Sequence, residues 1–288
     1  MMFDLPPMPV ETQPVIQQEC NAVYSRLIRP ASGGNSQRNT SRSSVGDDSS
    51  DDSLSSADTL TGSANDIHNL RKQAIKQEAF SIGSQAGLHW RYAGIEHILE
   101  SEHIAPLLDR GFDFNRVITS NNILLPVISE ARQSFQMSED GQTARSSETA
   151  WEIITNARIT TTAPSWREYL YQHSIAPTSA PTGLMPYNRG EQVLWQTNIC
   201  NGFQQGVDIA NMIYTDRLNR LVRDYSGMLR FRTLAAQDIV TMPAVDQGLL
   251  GVSVQNDRVH VDDRIIRITE PVRFNDSSQW RAVSTSVD

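Results

Sequence analysis

Cysteine is scarce in this chain of 288 residues, where only Cys20 and Cys200 occur. Two cysteines so far apart form neither a framework of several disulfides nor a CxxC metal knuckle. Cys200 lies among apolar neighbours within a helical pattern. We therefore interpret it as a buried, unreactive thiol rather than a nucleophile.

Long apolar runs are also missing. No stretch approaches the roughly 18 to 20 residues that a membrane-spanning helix needs. The first 20 residues contain several prolines and no continuous apolar segment. As written, they do not match a secretory signal.

The chain lacks an excess of positive charge. Its formal net charge is −8 at pH 7, which argues against a protein that grips a polyanion over a wide surface. Hydrophobic residues make up 39% of the chain and charged residues 20%. This composition and length predict a mostly globular protein of one or two domains with a real core.

Motifs for catalysis and ligand binding are absent from the sequence. The six histidines include no HExxH pair, and neither a GxSxG elbow nor a P-loop occurs. Glu100 and His103 have the spacing of a di-iron ligand pair, but such a site needs a second pair. We predict no catalytic, cofactor-binding or metal-binding residues and expect a protein that is not an enzyme.

One segment stands apart by composition. Residues 31–66 hold 11 serines and six aspartates among 36 residues, and such a segment buries too little apolar surface to offset the entropy of ordering it. We predict a disordered linker over 31–66. Before it we predict an extended N-terminal segment and candidate anchor region over 1–30, and after it a single folded domain over 67–288.

The folded part alternates between helical and strand patterns, which predicts an α+β fold preceded by a disordered tail. Apolar residues at helical spacing predict N-terminal helices from about residue 66 to Tyr92 and then on to Gly111. Gly83 and Gly87 weaken the first helix but would let another backbone come close. The centre of the chain, rich in Ile, Val, Thr and Phe, predicts strands.

The second half of the fold begins with a short helix after Pro164 and a proline-rich connector. A long amphipathic helix then starts at the Asn188 cap, with Glu191 placed for a capping box, and runs, bent or broken, to about Gln237. The alternation that follows predicts a C-terminal antiparallel β hairpin or meander. Its third strand falls near 266–268, and the segment QWRAV would add an edge strand.

An arginine-rich stretch over 215–235 combines five arginines with an apolar stripe that includes Leu221, Tyr225 and Met228. Aspartates lie between the arginines, where they can pair with them along the helix. A nucleic-acid arm rarely carries such acids, and a membrane-surface helix would have a stronger apolar face. The pattern therefore favours a helix packed into protein.

Two places are predicted to form interfaces. Arginine pairs with carboxylates and stacks on aromatic rings at protein contacts, and the exposed edge of a hairpin accepts a neighbouring strand. The predicted interface residues are Arg217, Arg220, Arg223, Arg230, Val252, Val254, Val259 and Val261.

Several phrases, taken in order, resemble the DotC family of type IVB (Dot/Icm-type) secretion systems and related conjugation machines. The strongest are NRLVRDYSGMLRFRTLAAQDIVTMPAV (219–245), DDRIIRIT (262–269) and QWRAV (279–283). SIGSQAGLHWR, APSWREYL and GFQQGVDIANMIYTDRL support them. The ordered set extends from about residue 67 to 283.

The resemblance implies a non-enzymatic outer-membrane lipoprotein that faces the periplasm. Members of that family build a ring-shaped outer-membrane core complex with the DotD lipoprotein and the DotH subunit, and no direct nucleic-acid partner is expected. Their lipid anchor requires an apolar run before the modified cysteine. Cys20 instead follows Gln17, Gln18 and Glu19, so we do not extend lipidation to it.

Two other functions remain open from the sequence. One is a periplasmic enzyme that acts on the cell wall, which would need acids converging in a groove. The other is a nucleic-acid-binding module that uses the helix Arg217–Arg232, whose binding would weaken steeply with salt.

Overall fold

A computed structural model describes residues 12–28 and 57–281 of the chain. Most of the predicted linker falls outside these residues. The described residues contain five α-helices and six β-strands, and the predicted α+β class is confirmed. The helices are α1 (Gln13–Leu27), α2 (Ala57–Leu99), α3 (Ile104–Gly111), α4 (Trp166–Leu170) and α5 (Arg189–Ala236). The strands are β1 (Ile123–Leu124), β2 (Val127–Met137), β3 (Ala144–Thr155), β4 (Arg158–Ile159), β5 (Ala244–Gln255) and β6 (Arg258–Glu270).

Contacts along the backbone divide the chain into two compact units. The helical unit contains the described residues 12–28, 57–99 and 172–213. The hairpin unit contains residues 100–171 and 214–281. The first part of α5 thus belongs to the helical unit and its last part to the hairpin unit. The single folded domain stays a prediction.

Helix α1 corrects the extended conformation predicted over 1–30 for the part that the structure describes, residues 12–28. Pro14 lies in its first turn, where the missing N–H would have had no partner in the helix. Ile16 and Cys20 lie one turn apart and are both buried. They join a core cluster with Phe203 of α5. This segment is helical because its apolar face is buried against other helices. The prolines near the start of the chain had favoured an extended conformation.

Cys20 and Cys200 form a disulfide, which corrects the interpretation of Cys200 as a free thiol. Their Cα atoms lie 5.1 Å apart, within the range that a disulfide requires. The two cysteines are 180 residues apart in sequence. The bond joins α1 covalently to α5 within the helical unit.

Helix α2 is longer than predicted at both ends. It begins at Ala57, within the stretch predicted as linker, and continues to Leu99 without a break at Tyr92. Once a helix is nucleated, each added residue costs little, so poor helix formers extend it. The end predicted at Gly111 is confirmed by α3.

Gly83 and Gly87 of α2 lie where that helix packs against α5. This confirms the prediction that they let another backbone come close. A Cβ added to Gly83 would lie 2.2 Å from the carbonyl oxygen of Ile199, and Gly87 is just as crowded. α5 contributes Gly202 and Gly206, which press equally closely on the backbone of α2. Two backbones approach this closely only where neither carries a side chain.

Arg71 fixes the connector that precedes α5. Its guanidinium binds both carboxylate oxygens of Glu191, at 3.0 and 3.2 Å. It also donates to the carbonyl oxygens of Gly183 and Met185, at 2.8 and 3.0 Å. The same group lies 4.4 Å from the centre of the Tyr187 ring. One side chain of α2 thus holds a segment that has little regular structure of its own.

Helix α5 begins as predicted, because the Asn188 side chain accepts a hydrogen bond of 2.8 Å from the amide of Glu191. It then continues for 48 residues, where a bend or break had been allowed. Within the hairpin unit its apolar stripe is buried through Leu221, Tyr225 and Met228. The predicted packed helix is confirmed.

An aromatic cluster forms part of the core of the hairpin unit. The Tyr225 ring meets Phe112 and Phe114 edge to face, with ring centroids 5.4 and 5.2 Å apart. Phe114 stacks in turn on Tyr169 of α4, at 5.8 Å. These rings join α5 to α4 and to the segment after α3.

The short helix predicted after Pro164 is confirmed as α4. Ser165 and Glu168 form a capping box at its start. The Trp166 indole is buried and donates a 2.7 Å hydrogen bond to Asp109 at the end of α3. A helix of only five residues is thus stable because its first turn is both capped and packed.

β2 and β3 form an antiparallel hairpin, which confirms the predicted central strands and the loop between them. The hairpin starts against α5, where Gly227 leaves room for it. A Cβ added to Gly227 would lie 2.6 Å from the Val127 side chain and 3.0 Å from the carbonyl oxygen of Ile128. The short β1 and β4 pair separately.

β5 and β6 form one long antiparallel hairpin. The predicted hairpin is confirmed, and its register pairs Val252 with Val261 and Val254 with Val259. The predicted third strand is wrong, because Ile266 lies within β6 and pairs with Gln247 of β5. Irregular register beside Gly251, whose φ is +70°, shifts the alternation between the two faces.

The C-terminal edge strand predicted over 279–283 is wrong for its described part. A 3-10 helix occupies Ser277–Gln279, and its start is capped by the Asp276 side chain. Beyond this helix, the amide of Arg281 donates a hydrogen bond of 2.8 Å to the carbonyl oxygen of Gln237. The backbone here returns to the end of α5 and does not join a sheet.

Candidate interaction surface

The end of the β5–β6 hairpin presents apolar side chains to solvent. The cross-strand register pairs Val252 with Val261 and Val254 with Val259, and we call the exposed residues Val252, Val259 and Val261 the valine tip. Val252 and Val259 are each 63% exposed and Val261 is 71% exposed. The four valines predicted as interface residues therefore lie in two neighbouring backbone pairs at one end of the hairpin.

This hairpin also leaves its edges available. In the described part of the chain its sheet contains only β5 and β6. Each outer edge therefore presents backbone N–H and C=O groups that can pair with another strand. A two-stranded hairpin is marginally stable in water by itself, and contact with a partner would stabilise it.

A second apolar surface lies on the β2–β3 hairpin and was not predicted. Phe135 and Met137, near the end of β2, are each 65% exposed. The alternation of SFQM in the sequence was the available signal. It indicated a strand with one buried face, but the structure leaves that face uncovered at the far end.

Burying such side chains releases appreciable free energy. Complete burial of one large apolar side chain contributes roughly 1.5–3 kcal/mol relative to exposure. Scattered exposed apolar residues are ordinary, whereas groups of them on one surface mark contacts with other molecules. The ends of the two hairpins are therefore the best candidate contact surfaces in the hairpin unit.

Arg217 and Arg230 are engaged within the hairpin unit. Arg217 donates to two backbone carbonyls at the end of α4, both at 3.2 Å. Arg230 donates to the carbonyl oxygen of Ile128 at 2.6 Å and pairs with Glu130 at 3.0 Å. The first holds α4 and the second holds β2 against α5.

Arg220 and Arg223 lie at the surface beside Asp224. Arg223 contacts the Asp224 carboxylate at 2.9 Å, and Arg220 approaches it to 3.8 Å. The phenol of Tyr169 donates to the same carboxylate at 3.3 Å. Burial, together with the charge of Asp224, raises the pKa of Tyr169 to about 12. The carboxylate offsets part of the positive charge of the two arginines.

The structure therefore separates the predicted interface residues into groups. The four valines lie together, Arg220 and Arg223 are exposed on α5, and Arg217 and Arg230 bind groups within their own unit. The direction of each guanidinium depends on tertiary packing, which the helical pattern does not encode. The assignment of all eight residues to an interface stays a prediction.

Glu100, one of the two residues with di-iron ligand spacing, forms an ion pair instead. Glu100 binds Arg167 at 2.9 Å, and that arginine also binds Asp109 at 3.0 Å. The Arg167 guanidinium lies 4.2 Å from the centre of the Trp166 ring. The described residues contain no group of three or more His, Cys, Asp or Glu side chains placed to hold a metal ion.

Comparison with known proteins supplies the context for these surfaces. No helix in the described part of the chain combines the length and apolarity that crossing a bilayer requires. No curated protein matches the chain. A family model described as type IV secretory system, conjugal DNA-protein transfer, matches residues 69–282. This confirms the type IV secretion part of the resemblance, and the chain belongs to that family of type IV secretory, conjugal DNA–protein transfer proteins.

Proposed function

We propose that this chain is a non-catalytic structural subunit of the outer-membrane core complex of a type IVB secretion or conjugative transfer system. It assembles into a ring with DotH-like and DotD-like proteins at the periplasmic face of the outer membrane. Family membership supports the role in type IV secretion. The ordered DotC-like phrases support the finer assignment.

The valine tip carries the proposal of an assembly role. Its apolar side chains and the free edges of β5 and β6 are available at the same place. A partner strand added to such an edge gains main-chain hydrogen bonds, and its side chains gain apolar contacts with the valines. Both features serve assembly and need no reacting group.

The disulfide supports placement outside the cytoplasm. Structural disulfides persist in oxidising compartments such as the periplasm and are rare where glutathione and thioredoxin keep thiols reduced. Cys20 and Cys200 are the only cysteines of the chain and they are bonded to each other. A periplasmic location accounts for this pairing.

The arginine contacts support assembly over the alternative of nucleic-acid binding. Arg217 and Arg230 donate hydrogen bonds to backbone groups of the same unit. Arg220 and Arg223 share the Asp224 carboxylate. Binding of nucleic-acid phosphates by this helix would need arginines that are available for contact, and the net charge of the chain is −8.

Charge substitution at the valine tip tests the proposal. Full-length protein with Val252→Asp and Val261→Asp is expected to lose capture of DotH-like and DotD-like subunits from the native host, because a buried unpaired carboxylate opposes the contact. Far-ultraviolet circular dichroism should remain unchanged. Val193→Asp is the matched control, since Val193 is 57% exposed on α5 of the helical unit.

Equal capture by the double variant and the control would overturn the assignment of the tip as the contact surface. Loss of capture by the Val193→Asp variant as well would show that exposed charge disturbs assembly generally. That second result would also count against the valine tip.

A further inference from the structure

The chain has only two lysines among its 25 basic residues, Lys72 and Lys76, and both line the same cavity of the helical unit. Together with His68 they follow one face of α2 at steps of four residues. Asn188 and Gly190, at the start of α5, also line the cavity. The cavity has a volume of about 490 Å³.

No acid in the described part of the chain pairs with either lysine. Neither ammonium group forms an ion pair with any residue that the structure describes. Glu191 also lines the cavity, and Arg71 binds both of its carboxylate oxygens. The hydrogen bond from Arg71 holds the pKa of Glu191 below its ordinary value. Glu191 is thus neutralised by a partner other than the lysines.

The wall at Gly190 is open toward the cavity. A Cβ added there would meet only the Asn188 side-chain oxygen, at 3.2 Å. A longer side chain at this position would therefore enter space that a ligand could occupy. This offers a way to block the cavity without removing either lysine.

We propose that this cavity binds a phosphate group, held between the ammonium groups of Lys72 and Lys76. A phosphomonoester carries a charge of about −1.5 to −2 at pH 7, which two ammonium groups one helical turn apart match. Lysine binds phosphate as a compact point charge with three donors. The site is independent of the proposed assembly role.

The phosphate has two possible sources, which share an anionic phosphate group, although a headgroup phosphodiester carries a single negative charge. One is a soluble phosphate compound, and the other is the headgroup of an anionic phospholipid. The cavity recognises the group that they share, so separate arms of one experiment distinguish them.

The scarcity of lysine allows a direct test on the full chain. Reductive methylation with ¹³C-formaldehyde labels the two lysine side chains and keeps their positive charge. Inorganic pyrophosphate should shift both lysine signals in a saturable way. In the second arm, vesicles of phosphatidylglycerol should co-sediment the protein, and vesicles of phosphatidylcholine should not.

Two variants and one control decide the outcome. Lys72→Gln with Lys76→Gln should weaken binding in the active arm about tenfold or more, because two charge-assisted contacts are lost. This variant retains no lysine signal, so isothermal titration calorimetry with pyrophosphate measures its binding in the soluble arm. Gly190→Glu should weaken it similarly with both lysines present, and an acid in the first turn favours the helix. Arg26→Gln with Arg110→Gln removes the same charge elsewhere and should leave binding unchanged.

Saturable shifts with pyrophosphate support the site with a soluble ligand, and lysine-dependent co-sedimentation supports it with a lipid headgroup. The proposal is overturned if neither arm gives binding. It is equally overturned if the arginine control weakens binding as much as the lysine variant, because the effect is then one of net charge alone.

Discussion

Glycine determines how closely α2 and α5 pack in the helical unit. At Gly83 the hydrogen of the glycine faces the carbonyl oxygen of Ile199, and a methyl group in that place would lie at 2.2 Å from it. The neighbouring atoms belong to backbone, so they cannot rotate away as a flexible side chain would. Gly94 in the same helix has no heavy atom within 4 Å of an added Cβ.

Alanine at these two positions should have opposite effects. We expect Gly83→Ala to lower the free energy of unfolding by about 1–3 kcal/mol, because the helices must move apart. Gly94→Ala should raise it by about 0.5–1 kcal/mol, since alanine loses less backbone entropy in a helix. Urea unfolding followed by circular dichroism measures both. Equal effects of the two substitutions would contradict the close backbone contact.

The phenol of Tyr169 reports on the contact between α4 and α5. Burial raises its pKa from 10.0 to about 12, and the Asp224 carboxylate adds to this. We expect Asp224→Asn to lower that pKa while leaving it above 10.0, because burial remains. An absorbance titration of phenolate, with Tyr169→Phe as the reference, measures the change. A Tyr169 pKa that does not respond to Asp224→Asn would contradict the contact.

The same shift predicts how stability depends on pH. The folded protein keeps the Tyr169 proton to a higher pH than the unfolded chain does, so this contribution is fully present below pH 10 and is lost as pH rises toward 12. Tyr169→Phe should make unfolding less sensitive to pH across that window. Identical pH dependence in the two proteins would exclude the contribution.

Elements with a local signal were predictable from the sequence. The Asn188 cap of α5 and the valine pairing of the β5–β6 hairpin rest on residues close together in the chain. Helix α1 was missed because its stability comes from a face covered by α2 and α5. β6 was divided wrongly because irregular register near Gly251 interrupts the alternation. These errors share one cause, which is that tertiary contacts decided the structure.

The Cys20–Cys200 disulfide should stabilise the helical unit as an element. It closes a loop across 180 residues of sequence, which restricts the unfolded chain. We expect Cys20→Ser with Cys200→Ser to lower the free energy of unfolding by about 2–5 kcal/mol and to expose α1 to proteolysis. Guanidinium unfolding with and without reductant measures the effect.

The double serine variant is the control for that experiment, because reductant should not change its unfolding curve. If reductant also leaves the wild-type curve unchanged, then the bond contributes nothing measurable to stability. That result would contradict a structural role for the disulfide.

At the scale of the whole molecule, the candidate surface was only partly predictable. The valine tip followed from alternation, since valines at every second position share one face of a strand. The exposed Phe135 and Met137 were missed because their alternation resembles that of a strand packed on a core. The arginines of α5 were grouped by sequence, whereas the fold assigns Arg217 and Arg230 to internal contacts and Arg220 and Arg223 to the surface.

The proposed function accounts for both the disulfide and the exposed apolar strands. A disulfide-linked helical unit and a hairpin unit with exposed apolar strands suit a protein that is ordered by its neighbours in an oxidising compartment. Family membership places such a protein in type IV secretion. The type IVB core complex is the assembly that we propose for it.

Affinity purification of the tagged full-length chain from the fractionated envelope of its native host tests that proposal most directly. We expect the protein in the outer-membrane fraction, together with DotH-like and DotD-like subunits, and with Cys20 and Cys200 resistant to thiol-specific alkylation until reductant is added. Recovery as a monomer from the cytoplasmic fraction, with both thiols open to alkylation, would contradict it.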